Sequence, residues 1–304
     1  MPRCARVKTL ESIFHIMCRS MDEFNLFRDD EDKRKFMEVA KSLQGLYKFR
    51  IYGYCLMDNH VHLMMDANGA DISFIMHDLN YKYAVYYNKR YERRGHVFFD
   101  RFKSEIVDTE KYMITLSAYI HNNTKDLPEY CTRPEIYEFS SLGVYIGLRE
   151  DPFRLVEKDF VLSLFGNNYS TAVIKYYNFV LKCNDEKMWK KVEFENEETQ
   201  YRSERKILAR DTEPENVAEY VSSKTGIPEI MLHTKFNKKV TESKALFVIL
   251  MRSMCNQKCC EICRQLGNIT QARVSALSSK GQELLQTNEV FRGMVEEFIH
   301  PFGT

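Results

Sequence analysis

The sequence predicts an α+β protein: a ferredoxin-like antiparallel sheet with helices on one face, followed by an all-α helix-turn-helix domain. The first observation is the order of the N-terminal segments. Apolar residues repeat every two residues in the strand-like segments and every 3.6 residues in the helical ones, which predicts the order β-α-β-β-α-β-α. The second is an almost purely polar stretch, residues 185–211, which has the composition of a linker. The third is that only helical periodicity continues after it, over residues 215–299.

The length and composition indicate more than one domain. A chain of 304 residues is long for one hydrophobic core. The predicted domains are residues 1–150 for the sheet, 151–212 for a helical connector with the polar linker, and 213–304 for the C-terminal domain. No apolar run approaches the roughly 20 residues of a membrane-spanning helix, and no export signal is recognised. We therefore expect a cytoplasmic protein with no membrane partner, whose nine scattered cysteines are reduced thiols.

The first strand is predicted over residues 13–19, because apolar and other side chains alternate there. This alternation assigns two sets of side chains to opposite faces of the sheet: Phe14, Ile16 and Cys18 on one, and His15, Met17 and Arg19 on the other.

A helix is predicted next, because the acidic run 29–32 suits a helix N-terminus and apolar residues then recur at helical spacing. Two β segments follow, residues 49–57 and 60–65. Asp58-Asn59 between them is favourable turn chemistry, so these two segments predict a hairpin.

The remaining N-terminal elements are a helix, a strand and a third helix. The long helix is predicted over residues 72–91 and the strand over 103–107. The third helix should begin after an N-cap at Asp108 or Thr109 and end near Asn123. An antiparallel sheet with its helices on one face leaves its other face available for a ligand.

A histidine pair in the second hairpin strand is a candidate metal site. Residues two apart in a strand share a face, so His60 and His62 present two imidazoles side by side, with Val61 turned into the core. His-x-His pairs also occur by chance, so this motif alone is weak. Tyr119 and Asn123 lie one helical turn apart and emerge from the same helix face. A helix lying across the open sheet face would bring this phenol and amide to the imidazoles.

The chemistry explains why these residue types belong together. A tyrosyl oxygen that attacks a phosphodiester forms a phosphoester of similar energy, so cutting and rejoining need no ATP. Tyrosine, with a pKa of about 10, is a poor nucleophile at neutral pH, so a metal must polarise the phosphate. Two imidazoles and one amide oxygen leave coordination positions open for phosphate and water. No role is predicted for the other histidines considered, which are His15, His77, His96 and His121.

Ordered runs over most of residues 1–147 resemble REP-associated tyrosine transposases and related single-tyrosine HUH transposases of insertion sequences. The runs are MPRCARV, IFHIMCRS, LFRDDEDKRKF, YCLMDNHVHLMM, LNYKYAVYYNKRYERRGHVFFDRFKSEIVDTEKY, AYIHNN and YEFSSLGVYIG. Each run alone is modest, but the ordered set is specific.

The resemblance implies an activity and a set of site residues. The family's His-hydrophobic-His motif falls on His60 and His62, its catalytic tyrosine on Tyr119 and its third metal ligand on Asn123. It implies Mg²⁺- or Mn²⁺-dependent cleavage of single-stranded DNA at or beside hairpins, with a 5′-phosphotyrosine link and a free 3′-hydroxyl. The family commonly has proline after the asparagine, whereas this chain has Thr124, which affects only how sharply the helix stops.

A basic cluster is the candidate single-strand interface. Cations for phosphates and aromatic faces for unstacked bases are interleaved in this part of the chain. The candidate DNA-binding cations are Lys89, Arg90, Arg93, Arg94, Arg101 and Lys103, and the aromatics are Tyr91, Phe98, Phe99 and Phe102. The alternative is a solvated helix end, where Lys and Arg are also favoured.

The last third contains a helix, a short turn and a helix, which is the helix-turn-helix layout. Residues 215–298 resemble the DNA-binding C-terminal domain of the replication initiator DnaA, which implies binding to duplex DNA. The candidate DNA-facing residues of the second helix are Gln271, Arg273, Ser275 and Lys280. A helical protein-interaction module is the alternative. The four cysteines at 255, 259, 260 and 263 fit no standard zinc spacing, so buried thiols are favoured.

Two other functions remain open from the sequence. A domesticated transposase could act as a non-catalytic DNA-binding regulator through the helix-turn-helix, although such a protein has no need of the histidine pair and the tyrosine. A metal-dependent hydrolase with water as nucleophile lacks the carboxylates that such sites normally add. A monomer and a homodimer are both compatible with the sequence.

Overall fold

Four strands form one antiparallel sheet in the order β2-β3-β1-β4. The structure is a computed structural model that describes residues 12–21, 24–183, 208, 210–234, 240–267 and 269–300. The strands are β1 (Ile13–Arg19), β2 (Arg50–Leu56), β3 (His60–Asp66) and β4 (Lys103–Val107). The central strand β1 pairs with β3 and β4, and β2 pairs with β3 as the predicted hairpin.

Three helices complete the predicted order of elements. They are α1 (Asp30–Tyr47), α2 (Ile72–Arg90) and α3 (Glu110–Asn122). Thr109 caps α3, because its side chain accepts a hydrogen bond from the backbone N–H of Tyr112. The predicted α+β class with an antiparallel sheet is therefore confirmed, and the element boundaries lie within a few residues of the predicted ones.

The predicted alternation along β1 is also confirmed. Phe14, Ile16 and Cys18 are buried, and the Cys18 thiol lies 3.7 Å from the side-chain oxygen of Asn80 on α2. This face is therefore the one that α2 covers. On the opposite face, a Cβ atom added to Gly53 of β2 would lie 3.8 Å from His121 of α3. Hence α3 lies across the face that carries the histidine pair.

Three further helices cover the β2 edge of that second face, so less of it is open than the sequence predicted. They are α4 (Leu142–Tyr145), α5 (Lys158–Ser163) and α6 (Tyr169–Lys182). The ring of Phe160 on α5 stacks on Tyr52 of β2 with 4.8 Å between centroids. The hydroxyl of Tyr145 donates to the backbone carbonyl of Tyr52.

His121 anchors α3 through a fully buried hydrogen-bond network. The Ser141 hydroxyl accepts from Tyr54 N–H and contacts the Tyr54 carbonyl, which leaves it to accept from Nε2–H of His121 at 2.7 Å. The Tyr176 hydroxyl of α6 then donates to His121 Nδ1 at 2.6 Å. Burial lowers the pKa of His121 to about 3, so the imidazole is neutral here. The sequence predicted no role for His121, and the structure shows that it joins three elements.

This network predicts a pH dependence of stability. The unfolded chain takes up a proton on His121 below pH 6.5, whereas the folded protein does so only near pH 3. Stability is therefore lost as the pH falls from 6.5, by at most about 1.4 kcal/mol per pH unit from this one group. His121→Gln should be less stable at pH 7 but should lose less stability on acidification, as measured by urea unfolding at pH 7, 6 and 5. An equal pH slope in wild type and His121→Gln, or the same loss of slope in the exposed-site control His77→Gln, would contradict it.

The C-terminal part is helical. Its helices are α7 (Pro214–Thr225), α8 (Glu229–Leu232), α9 (Thr241–Met254), α10 (Cys259–Leu266), α11 (Gln271–Thr287) and α12 (Glu289–Ile299). Helix α7 ends at Gly226, whose φ of 66° favours glycine. Val274 and Leu277 of α11 are buried. The predicted helical C-terminal region is confirmed.

The described residues form two compact units. The first contains those within Met1–Lys41, Phe49–Asn68 and Met76–Lys206, and the second contains those within Ser42–Lys48, Gly69–Ile75 and Ile207–Thr304. The last turns of α1 and the start of α2 thus belong to the second unit. Most of the predicted linker lies outside the described residues, and the domain boundaries at 150 and 212 stay predictions. No helix in the described part of the chain combines the length and apolarity needed to cross a bilayer.

Candidate active site

The two histidines of β3 lie side by side on one face of the sheet. The ring centroids of His60 and His62 are 5.0 Å apart and the rings are nearly perpendicular, at 87°. His62 is buried and His60 is half-buried, while Val61 between them points into the core. Strand geometry therefore produces the predicted pair of imidazoles.

Helix α3 brings the predicted tyrosine and asparagine to this pair. The Tyr119 ring lies 5.4 Å from the His62 ring, edge to face at 89°. One helical turn later, Oδ1 of Asn123 lies 3.4 Å from Nε2 of His60. The structure thus brings together all four residues that the sequence singled out as nucleophile and metal ligands.

The amide of Asn123 has a defined orientation. Its Nδ2 donates a hydrogen bond of 3.0 Å to the backbone carbonyl of Tyr119, which lies at the end of α3, where helical carbonyls lack intrahelical partners. Because the amide nitrogen is used in this way, the amide oxygen faces His60. Oxygen is the atom that a hard divalent cation binds.

The protonation of His60 is also defined. Its Nδ1 lies 2.7 Å from Oδ1 of Asn59, and an amide oxygen can only accept. In the neutral imidazole the proton is therefore on Nδ1, and Nε2 carries a lone pair. In this tautomer His60 Nε2 and Asn123 Oδ1 are both acceptors, and they lie 3.4 Å apart. Two neighbouring ligands of one divalent ion lie about 3 Å apart, so this pair fits a shared cation.

Burial keeps the imidazoles of the site neutral. Burial lowers the pKa of His60, and the nearby charge of Arg19 adds to this, while the contact with Asn123 acts in the opposite direction. The pKa of His62 lies well below its usual value, first because of burial and then because of the neighbouring His15 and His60. Neutral imidazoles are the form that binds metal ions.

A third histidine, His15 of β1, belongs to this site, and the sequence reading gave it no partner. Its Nε2 lies 3.0 Å from Nδ1 of His62, and its ring lies 6.0 Å from the ring of Tyr119. Burial lowers the pKa of His15 to about 4. The alternation along β1 was the signal that could have found this contact. It places His15 on one face of β1, and because β1 pairs with β3, this is the face that carries His62.

Among the described residues, no three side chains from His, Cys, Asp and Glu are grouped so that they could hold a metal. An ion at this site would therefore depend on the amide of Asn123 in addition to the two imidazoles. The same finding covers the cysteines of the C-terminal region. The eight cysteines in the described part of the chain are free thiols.

The predicted basic cluster divides into two groups. Lys89, Arg94, Arg101 and Lys103 are exposed, and Lys103 lies opposite Met17 on the face of the sheet that carries the histidines. Arg90 is instead bound to the acidic start of α1. Its guanidinium contacts the carboxylates of Asp29, Glu31 and Asp32 at 2.8, 2.9 and 2.6 Å.

Arg93 and most of the aromatic residues of this segment are also held within the fold. The Arg93 guanidinium lies 3.7 Å from the centre of the Phe24 ring. The Tyr91 hydroxyl donates to Asp32, and Phe102 is buried. Phe99 is the exception, at 65% exposed. Its backbone N–H donates to the carbonyl of Arg19, at the end of β1 beside His60.

The predicted DNA-facing residues of the C-terminal region lie on α11, which follows α10 after a short connection. Gln271, Arg273 and Ser275 are exposed near the start of α11. Thr270 caps this helix by accepting from the backbone N–H of Arg273. Lys280, a turn further along, is ion-paired with Glu283 at 3.0 Å.

Comparisons with known proteins give a sequence family and a solved structure that resemble this chain. Residues 8–123 match the sequence model of the family described as "Transposase IS200 like". A solved structure described as a REP-associated tyrosine transposase bound to a REP hairpin aligns with 12% identity and a TM-score of 0.40, over 50% of this chain and 90% of that chain. No curated protein matches the chain.

The family model matches residues 8–123, so this part of the chain is similar to the IS200-like transposases. The matched segment ends at Asn123 and so contains β1 to β4, α3 and all five residues of the site described above.

Proposed function

We propose that this chain is a metal-dependent single-stranded DNA endonuclease and strand transferase that forms a 5′-phosphotyrosine intermediate through Tyr119. The proposed target is hairpin-bearing repeat DNA, and the proposed setting is the cytoplasm. The observation that carries the proposal is the pair of facing acceptors, His60 Nε2 and Asn123 Oδ1, 3.4 Å apart beside the Tyr119 ring. The match of residues 8–123 to the IS200-like transposase family supports the same reaction class.

In the proposed reaction, the phenolic oxygen of Tyr119 attacks the phosphorus of a phosphodiester. An O–P bond to tyrosine forms and the bond from phosphorus to the 3′-oxygen breaks. The phenol loses its proton to solvent water, and the leaving 3′-oxygen takes up a proton from solvent water. The products are a 5′-phosphotyrosine link and a free 3′-hydroxyl. Because the bond formed resembles the bond broken, a 3′-hydroxyl can reverse the step and join a new strand.

The proposed cofactor is Mg²⁺ or Mn²⁺, held by His60, His62 and Asn123. When bound, such an ion supplies Lewis-acid polarisation of the phosphate. The protein's own contribution is positional. The ring of Tyr119 packs against His62, and Asn123 donates to the Tyr119 carbonyl, so one helix turn holds both the nucleophile and the Asn123 ligand.

The proposed single-strand path runs along the exposed end of the sheet. Lys103 and Arg19 lie on the site face, Arg19 directly opposite His60. Exposed Phe99 beside Arg19 offers a stacking surface for an unpaired base. Arg90 is not part of this proposal, because three carboxylates already surround its guanidinium.

Purified full-length protein, incubated with Mn²⁺ and hairpin-bearing single strands from the DNA that flanks its gene, tests the proposal. We expect a covalent protein–DNA adduct that survives boiling in detergent, and release of a fragment with a free 3′-hydroxyl. EDTA should prevent both. Absence of an adduct with every flanking single strand would contradict the proposed activity.

We also propose that α10 and α11 act as a helix-turn-helix that binds duplex DNA. The exposed polar residues at the start of α11 support this, because the start of the second helix contacts base edges in such modules. Arg273→Ala should weaken binding to duplex fragments of the flanking DNA about tenfold and leave cleavage of a short single strand unchanged. The matched control is Lys224→Ala, since Lys224 lies on α7 and is ion-paired with Glu297 of α12.

The alternative function is a non-catalytic DNA-binding regulator that acts through the same helices. The exposed start of α11 favours it as much as it favours a transposase. Gel-shift binding to duplex fragments, measured on the protein sample used for cleavage, separates the two. A regulator would bind duplex DNA and form no adduct with Mg²⁺ or Mn²⁺. The transposase would bind duplex DNA and would also form the adduct.

A further inference from the structure

Each imidazole of the histidine pair contacts another side chain through its Nδ1 atom. His60 is held through its Nδ1 by Asn59, at 2.7 Å. His62 is held through its Nδ1 by Nε2 of His15, at 3.0 Å. In both cases Nδ1 is engaged, so Nε2 is the ring nitrogen that remains for a ligand.

The contact between His15 and His62 is a hydrogen bond between two rings. Their planes are inclined by 22° and their centroids are 5.2 Å apart, so with 3.0 Å between the nitrogens the rings meet edge to edge. A neutral imidazole carries one proton, so one ring donates and the other accepts.

The direction of this hydrogen bond decides whether His62 can bind a metal. If His15 donates, the proton of His62 is on Nε2, and that nitrogen has no lone pair to offer. If His62 donates from Nδ1–H, its Nε2 has a lone pair, as His60 Nε2 does. Partners of this kind, which fix the tautomer and orientation of a ligating histidine, commonly contribute 10- to 100-fold (about 1–3 kcal/mol) to metal affinity.

We propose that His15 is a positioning residue that accepts a hydrogen bond from Nδ1–H of His62 and so holds His62 in the tautomer that binds the divalent cation. This inference rests on the proposed metal-dependent function. His15 reaches His62 because β1 and β3 are paired so that Met17 lies opposite His62, which makes His15 its diagonal neighbour on the same face.

The first test measures the tautomer without any metal. Long-range proton–nitrogen NMR of the metal-free full-length protein should show His62 protonated at Nδ1. In His15→Phe, which keeps a ring but removes the acceptor, this preference should be lost. In His15→Gln, whose side-chain oxygen can accept, the preference should return. A wild-type His62 protonated at Nε2 would overturn the proposal.

The second test measures Mn²⁺ affinity by the electron paramagnetic resonance signal of free Mn²⁺. His15→Phe should bind Mn²⁺ about 10- to 100-fold more weakly than wild type, and His15→Gln should recover most of that loss. His77→Phe is the matched control and should bind as wild type does, since His77 contacts Asp78 and Tyr81. Equal Mn²⁺ affinity of wild type and His15→Phe would overturn the role of His15 while leaving the proposed function standing. If wild type binds no Mn²⁺, the metal part of the proposed function fails, and the NMR result alone decides whether His15 fixes the tautomer.

Discussion

Tyr119→Phe is expected to abolish the covalent adduct and to lower the rate of single-strand cleavage about 10⁴-fold or more, as removal of a nucleophile does in other enzymes. The substitution removes one oxygen atom and keeps the ring that packs edge to face on His62 and His15. Folding and hairpin binding should therefore be retained. The measurement is denaturing gel electrophoresis with end-labelled hairpin DNA, together with a gel shift for binding.

The same helix offers a matched control for this substitution. Tyr112 lies two turns before Tyr119, and its hydroxyl donates to Glu105 at 3.1 Å. Tyr112→Phe also removes one phenolic oxygen from α3, where the hydroxyl donates to Glu105 of β4. Its adduct formation should match wild type. An adduct that survives Tyr119→Phe and disappears in Tyr112→Phe would show that the nucleophile is assigned to the wrong tyrosine.

His60→Ala is expected to lower metal-dependent cleavage about 10³-fold, since a bound cation contributes several kcal/mol of charge stabilisation in such reactions. The substitution removes one of the two facing acceptors and leaves Asn123 Oδ1 without its neighbour. Because His60 is half-buried at the edge of the sheet face, the fold should tolerate the change. Cleavage is measured across a range of Mn²⁺ concentrations, and hairpin binding is measured in EDTA.

The informative outcome is the separation of binding from cleavage. His60→Ala should bind hairpin DNA as wild type does, and high Mn²⁺ should restore part of its activity. His77→Ala, at an exposed histidine on α2, is the control and should behave as wild type. Full cleavage by His60→Ala at low Mn²⁺ would remove His60 from the metal site. Loss of hairpin binding in parallel with cleavage would indicate a DNA contact instead of a metal ligand.

The sequence predicted the sheet unit well because its local signals agree with its tertiary contacts. Alternation in β1, the Asp58-Asn59 turn and the cap at Thr109 each depend on a few neighbouring residues. Covering of the second sheet face by α4 to α6 was not predicted. The contact of Phe160 with Tyr52 joins residues more than 100 positions apart, and no local pattern encodes such a pairing.

The site was predicted as a set of residue types, and its supporting contacts were not. His60, His62, Tyr119 and Asn123 follow from strand and helix periodicity. His15 was missed because its partner is fixed by the register of β1 against β3, which periodicity alone does not specify.

The basic cluster shows a second limit of reading charge from sequence. The sequence predicted that six cations between Lys89 and Lys103 contact DNA. Arg90 is instead enclosed by the acidic first turn of α1, about 60 residues earlier in the chain. The hydrogen bonds to Asp29 raise the pKa of Arg90 above its ordinary value, which is a consequence of this local pairing. The neighbouring Lys89 and Arg94 stay exposed.

In the proposed reaction the phenolic oxygen of Tyr119, held beside His60, His62 and Asn123, is the atom that becomes bonded to DNA. Mass spectrometry of the wild-type adduct, after nuclease trimming and trypsin digestion, tests it most directly. The tryptic peptide of residues 112–125 contains both Tyr112 and Tyr119, and fragmentation distinguishes them. We predict a nucleotide linked through its 5′-phosphate to Tyr119. A nucleotide on Tyr112, on another residue, or linked through a 3′-phosphate would contradict the account.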